Sequence, residues 1–216
     1  MKNSSKNSFF IGILSLLAFV LWTVLVGFVD VRPIGPLDSS VGFATLNAAF
    51  HSFTGVNMWL YVITDWLGLV PIAVALAFAV VGLVQWIGRK SIRRVDTSIL
   101  VLGGFYLAVI GVYLFFESTV INYRPVLIEG YLEASYPSST TMLVMCVMPT
   151  AIMQLRSRIK NLALRHFIVI LIVTFIGFMV IGRLISGVHW MSDIIGGALV
   201  STGLVALYNF FATVKQ

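Results

Sequence analysis

Residues 166–212 read HFIVILIVTFIGFMVIGRLISGVHWMSDIIGGALVSTGLVALYNFFA, two apolar runs (166–185 and 192–212) joined by a short polar hinge. Each run is close to the roughly 20 residues that an α-helix needs to cross about 30 Å of hydrocarbon. The charged residues, Arg183 and Asp193, stand at the hinge and not in the middle of either run. Four further apolar stretches precede this pair, at 8–29, 66–87, 98–116 and 139–155, the last interrupted by Pro149. A proline inside a membrane helix is tolerated where neighbouring groups satisfy the freed carbonyl.

The whole chain repeats the message: 59 % of residues are apolar, 10 % are charged, and the mean hydropathy is +1.01. A water-soluble domain carries about 25 % charged residues, because its surface faces water. Here the solvent is largely lipid. The expected fold is all-α, an integral membrane bundle of about six transmembrane helices forming a single membrane domain over 1–216. The run from Phe9 to Phe28 is longer than a signal-peptide core and lacks a convincing small-x-small cleavage site, so it reads as a retained span. Cys146 is the only cysteine, which leaves no partner for an intrachain disulfide.

Between the first two runs, Phe43, Leu46, Phe50 and Phe53 recur at helical spacing, while Thr45, Asn47, His51 and Ser52 fall largely on other faces. That is the pattern of a helix lying in the membrane interface. It either covers the mouth of the bundle or grips a lipid tail.

Charge in the loops sets the orientation. Eleven of the fourteen Lys and Arg (Lys2, Lys6, Arg89, Lys90, Arg93, Arg94, Arg156, Arg158, Lys160, Arg165 and Lys215) fall on one side of the alternating spans. Lys and Arg accumulate on the cytoplasmic side, so both termini are expected inside. The net charge of +6 thus reflects topology, and no nucleic-acid partner is expected. Arg32, Arg124 and Arg183 are left on the outer side. Ser135 and Ser157 read as accessible loop positions on the outer and inner sides.

Two outer arginines stand in chemically loaded segments. In the hinge, His189 and Asp193 are four residues apart, so on a helix the carboxylate could hold one imidazole nitrogen and leave the other free to attack. Arg183 could clamp an anion beside it. The plainer alternative is an interfacial Arg–Asp pair with His189 and Trp190 as headgroup anchors. A second segment holds Arg124-Pro125 and then Pro137-Ser138-Ser139-Thr140 at the start of the fourth run. Proline followed by hydroxyl residues opens a helix whose free N–H groups favour an anion. Plain capping is the alternative there. Two arginines, a cap and a histidine on one face of a hydrophobic chain point to a phosphate.

These residues resemble the type 2 phosphatidic acid phosphatase superfamily. Its signature is Lys-x6-Arg-Pro, then Pro-Ser-Gly-His, then Ser-Arg-x5-His-x3-Asp. The chain matches it at Arg124-Pro125, at Pro137-Ser138 and at Arg183-x5-His189-x3-Asp193, within a signature-bearing core of roughly 98–212. The resemblance implies a membrane lipid phosphatase with His189 as nucleophile through a phospho-histidine, Asp193 as its partner, and Arg124 and Arg183 as phosphate clamps. Ser138, Ser139 and Thr140 would complete the phosphate cradle.

The leading serine of the third part is Gly182 here, and two further departures bear on the chemistry. Glu117 stands where the family has lysine, and Thr140 where it has the histidine that helps protonate the leaving group. Glu117, if protonated, is a possible auxiliary acid; His51 is another, though a surface role suits it better. Asp65, Glu129 and Glu133 read as solvated loop acids or substrate selectors. No cofactor is expected, and the His and carboxylate spacings form no convincing metal set. The expected partners are membrane lipids and a lipid phosphate or pyrophosphate substrate. An undecaprenyl-pyrophosphate-like lipid is favoured, because its leaving group needs little protonation. The rival expectation is a catalytically impaired relative that binds or transports lipid phosphates.

Overall fold

The computed structural model of the protein describes residues 2–214. Lys215 and the side chain of Lys2, both counted above among the inner charges, lie outside the described residues. The fold is all-α: α1 (Lys2–Phe28), α2 (Ala44–Thr54), α3 (Met58–Leu67), α4 (Leu69–Arg89), α5 (Thr97–Ser118), α6 (Ser139–Arg158), α7 (Leu162–Ile185) and α8 (Met191–Val214). Among the described residues the only β pairing is three isolated bridges in the loops.

Five stretches are long and apolar enough to cross a membrane: Ser5–Phe28, Met58–Arg89, Thr97–Ser118, Leu162–Ile185 and Met191–Thr213. The second joins α3 to α4 across Gly68, whose φ of −59° and ψ of −19° keep the chain helical. It therefore begins at Met58, earlier than the apolar run at 66 suggests. Large side chains such as Leu14, Leu17, Leu21, Ile170 and Leu171 face outward, as a lipid solvent requires.

The sixth expected span is α6, and it is the exception. Its 20 residues give about 30 Å of helix, enough to cross. Its composition does not qualify, because it carries Thr140, Thr141, Thr150 and Gln154, all buried inside the protein. α6 packs against α4, α5, α7 and α8, so its neighbours shield it from lipid. Three of the four are paired there: Thr140 accepts from Arg183, Thr150 donates to the Cys146 and Val147 carbonyls, and Gln154 donates to Tyr208 Oη at 2.5 Å, whereas the buried Thr141 hydroxyl has no partner among the described residues. A polar helix is tolerated at membrane depth when protein surrounds it.

α1 runs along α8 through facing glycines. A Cβ on Gly12 would stand 2.7 Å from Leu207 Cδ2, and one on Gly203 would stand 2.7 Å from Leu16 Cγ. Small residues of this kind let two membrane helices approach closely where no hydrophobic effect drives them together.

The helix expected at the interface is α2; Asn47 and His51 turn toward the protein, while Thr45 and Ser52 are exposed. Asn47 is buried, donating to Ser192 Oγ at 2.9 Å and accepting from Ser192 N at 3.2 Å, while Phe53 is 87 % exposed. This ties α2 to the start of α8. The outcome is a cover over one end of the bundle, at which α5 and α7 end and α6 and α8 begin.

Candidate active site

Arg183 occupies the last turn of α7 and is 1 % exposed. Its Nη2 donates to Thr140 Oγ1 at 2.8 Å and lies 3.3 Å from Asp65 Oδ1; its Nη1 reaches Thr64 Oγ1 at 3.4 Å. Arg124 lies in the loop between α5 and α6, where its N–H bonds the Glu133 carbonyl at 3.0 Å. Its Nε is 3.0 Å from Glu133 Oε2, an ion-pair contact. Neither Arg124 Nε nor Arg183 Nε has an aligned hydrogen-bond acceptor among the described residues, although both are buried. Buried N–H groups left without an acceptor are costly, and these two belong to the two proposed clamps. The Tyr61 ring lies near both guanidiniums, 4.9 Å from Arg183 Cζ and 5.9 Å from Arg124 Cζ.

His189 sits in the turn before α8. Gly187 makes this turn: its φ is +68°, and a Cβ there would come within 2.0 Å of the Gly55 carbonyl oxygen. A side chain with a Cβ is disfavoured on both counts. His189 Nε2 faces Arg124 Nη1 at 3.4 Å, bringing the two motifs together. Its other nitrogen, Nδ1, contacts Ser135 Oγ at 3.0 Å. Burial, followed by the charges of Arg124 and Arg183, holds the imidazole well below its ordinary pKa, so the ring is neutral at neutral pH.

Asp193 is fully buried in the first turn of α8. The sequence reading, which set it directly on His189 across one helical turn, needs correction. His189 precedes the helix, so the i,i+4 geometry does not apply, and Asp193 Oδ2 is 4.0 Å from Nδ1. Ser135 stands between, with its hydroxyl 2.5 Å from Asp193 Oδ2. The carboxylate also accepts from Trp190 N at 2.9 Å, Asn122 Nδ2 at 3.1 Å and Ser192 Oγ at 3.3 Å. Ser135, expected to be accessible, is therefore buried beside the histidine.

The hydroxyls opening α6 have different surroundings. Ser138 is fully buried and caps the helix, accepting from Thr141 N at 3.5 Å, while its own N–H donates to the Asp193 carbonyl at 3.0 Å. Thr140 accepts from Arg183. Ser139 is partly exposed and shares a small cleft with Glu117, Ser135, Tyr113 and Pro137. Glu117 itself is exposed at the end of α5. Asp65 and Glu133, read as solvated acids, turn out to pair with the two arginines. His51 contacts the Gly187 carbonyl at 3.1 Å and packs near Trp190, which keeps it on the turn and away from the arginines.

Sequence reasoning missed Ser135, Asn122 and Tyr61. Each acts through contacts between distant segments, and no local spacing marks them. Only Ser135 carried a hint, standing two residues before the matched Pro137.

The fold and site together define a membrane-embedded helical bundle with a histidine and two arginines gathered at one end. The family profile described as "PAP2 superfamily" matches residues 105–215. The chain belongs to the PAP2 superfamily, and its chemistry is that of a membrane phosphatase. Its fold is similar to that of the first transmembrane PAP2 type phosphatidylglycerolphosphate phosphatase from Bacillus subtilis, with a TM-score of 0.62 and 17 % identity over 95 % of this chain and 97 % of that one. No curated protein matches the sequence.

Proposed function

We propose that the protein hydrolyses a lipid pyrophosphate or phosphate at the outer membrane face, through a phospho-histidine on His189. The observation that carries this reading is the approach of Arg124 Nη1 to His189 Nε2 at 3.4 Å, with Arg183 close behind on Thr140. Two guanidiniums beside a neutral imidazole can receive a phosphoryl group and offer it a nucleophile with a free lone pair. The incoming phosphate would displace the Glu133 and Asp65 carboxylates from the arginines and use their remaining N–H groups.

In the first step His189 Nε2 bonds to the terminal phosphorus, and the P–O bond to the leaving group breaks, with its electron pair going to that oxygen. Water then attacks the phospho-histidine, releasing inorganic phosphate and restoring the ring. A pyrophosphate substrate expels a lipid monophosphate, whereas a monoester expels an alkoxide that needs a proton as it leaves. Thr140 is a poor acid, and its hydroxyl oxygen already accepts from Arg183. This favours a pyrophosphate, with an undecaprenyl-pyrophosphate-like lipid as the leading candidate.

Purified protein in detergent, with chelator present, should release phosphate from undecaprenyl pyrophosphate faster than from phosphatidylglycerol phosphate or phosphatidic acid. Release from none of them, with lipid binding intact, would favour a binding or transport role instead.

Membrane orientation rests on the loop charges. The end opposite the site carries Arg89, Arg94, Arg156, Arg158 and Lys160, which supports a cytoplasmic assignment for that end. Tyr131 is 74 % exposed near the site, and Ser157 is exposed at the opposite end. The native Cys146 is buried, so it gives little background. In intact cells Tyr131→Cys should react with a membrane-impermeant thiol reagent and Ser157→Cys should not. The reverse pattern would put the site in the cytosol.

A further inference from the structure

We propose that Ser135 is a positioning residue: it links His189 to Asp193 and holds the imidazole in the tautomer that leaves Nε2 free to attack. The inference rests on His189 being the nucleophile.

Hydrogen counting leads to this assignment. A serine hydroxyl has one proton to give and lone pairs to accept with. Asp193 gathers four donors, from Ser135, Trp190, Asn122 and Ser192, as suits an ionised carboxylate. The Ser135 proton goes to Asp193 across 2.5 Å. Ser135 Oγ is then left to accept, and the partner at 3.0 Å is His189 Nδ1, which must carry a hydrogen.

The other side of the ring agrees. Nε2 faces Arg124 Nη1 at 3.4 Å, and a guanidinium can only donate. A hydrogen on Nε2 would set two donors against each other. Both contacts therefore select the neutral ring with hydrogen on Nδ1 and a lone pair on Nε2.

Asp193 lies too far from the ring, at 4.0 Å, to select the tautomer by direct hydrogen bonding. As Nε2 bonds to phosphorus the ring becomes positive and its Nδ1–H bond to Ser135 strengthens. The hydroxyl relays this polarisation to the carboxylate, and no proton has to leave Nδ1. The backbone around Ser135 is anchored separately, by Ser135 N to the Asn122 carbonyl at 2.9 Å and Ser138 N to the Asp193 carbonyl at 3.0 Å. Removing the hydroxyl alone should thus leave the loop in place.

The test combines spectroscopy and kinetics on the full chain. The chain has three histidines, so ¹⁵N-histidine NMR in detergent is tractable, with the His189 signals assigned by their loss in His189→Ala. Wild type should show a protonated Nδ1 and an unprotonated Nε2. Ser135→Ala should show mixed tautomers, and Ser135→Thr, which keeps the hydroxyl, should restore the wild-type pattern. On undecaprenyl pyrophosphate, Ser135→Ala should lower kcat by about 10–100-fold, by analogy with the loss of partners that orient metal-bound histidines. KM should change little.

An unchanged tautomer in Ser135→Ala overturns the proposal, whether kcat stays or falls, because a fall without the tautomer change marks a merely structural loss. If His189→Ala retains activity, the nucleophile assignment fails separately, while the tautomer measurement still reports on the Ser135 contact.

Discussion

Replacing His189 with alanine should abolish phosphate release, by on the order of 10⁶-fold where a nucleophile acts as one unit with its partners. Lipid binding should survive, because Arg124 and Arg183 reach their positions through Glu133, Thr140 and Asp65 without help from the ring's chemistry. The two measurements together separate loss of chemistry from loss of the site: turnover by phosphate release, binding by retention of labelled lipid. Near-wild-type turnover in His189→Ala would exclude a phospho-histidine at this position. The same assignment predicts a pH profile. The neutral ring is the nucleophile, and its pKa is held down by burial and by the two arginines. Activity should therefore persist as pH falls past about 6.5, the ordinary histidine value, and decline only below it. That acid limb belongs in kcat/KM, which reports the free enzyme.

The second large effect concerns Thr140 and the choice of substrate. A general acid contributes about 10²–10⁴-fold when the leaving group is a strong base. Without one, the wild type should favour undecaprenyl pyrophosphate over phosphatidic acid by a factor of that order. Thr140 accepts a 2.8 Å hydrogen bond from Arg183, so Thr140→His must accept that N–H through one ring nitrogen while presenting the other to the leaving oxygen. Where the ring fits, monoester hydrolysis should rise more than pyrophosphate hydrolysis, and the ratio of kcat/KM values should narrow. Equal or greater wild-type activity on phosphatidic acid would sink the leaving-group explanation. It would redirect attention to Glu117, which shares a cleft with Ser135 and Ser139.

Much of the architecture was legible because the membrane imposes one strong rule: long apolar runs become helices. That rule found α1, α4, α5, α7 and α8, and it placed the hinge that holds Arg183 and His189. It was least informative for α6, whose threonines and glutamine reflect a protein environment, and for the start of α3, where Asp65 interrupts the apolar run. At the site, motif spacing singled out two arginines, a histidine and an aspartate that the fold brings to one end of the bundle. It misjudged how the last two meet, because a spacing of four implies contact only if the intervening backbone is helical, and Gly187 keeps His189 in a turn. The pairing of Asp65 and Glu133 with the arginines was hidden for another reason. A loop acid looks the same in sequence whether it faces water or a guanidinium.

The burial of α6 also bears on how the chain is made. A helix carrying Thr140, Thr141, Thr150 and Gln154 gains little by entering lipid alone, since each unpaired polar group there is expensive. α4 and α5 precede it and cover part of its surface, but its enclosure is complete only with α7 and α8, and both are synthesised after it. The site residues that α6 and its preceding loop carry come together with His189 only at that final stage, so a stalled or truncated chain would present apolar spans without a competent centre.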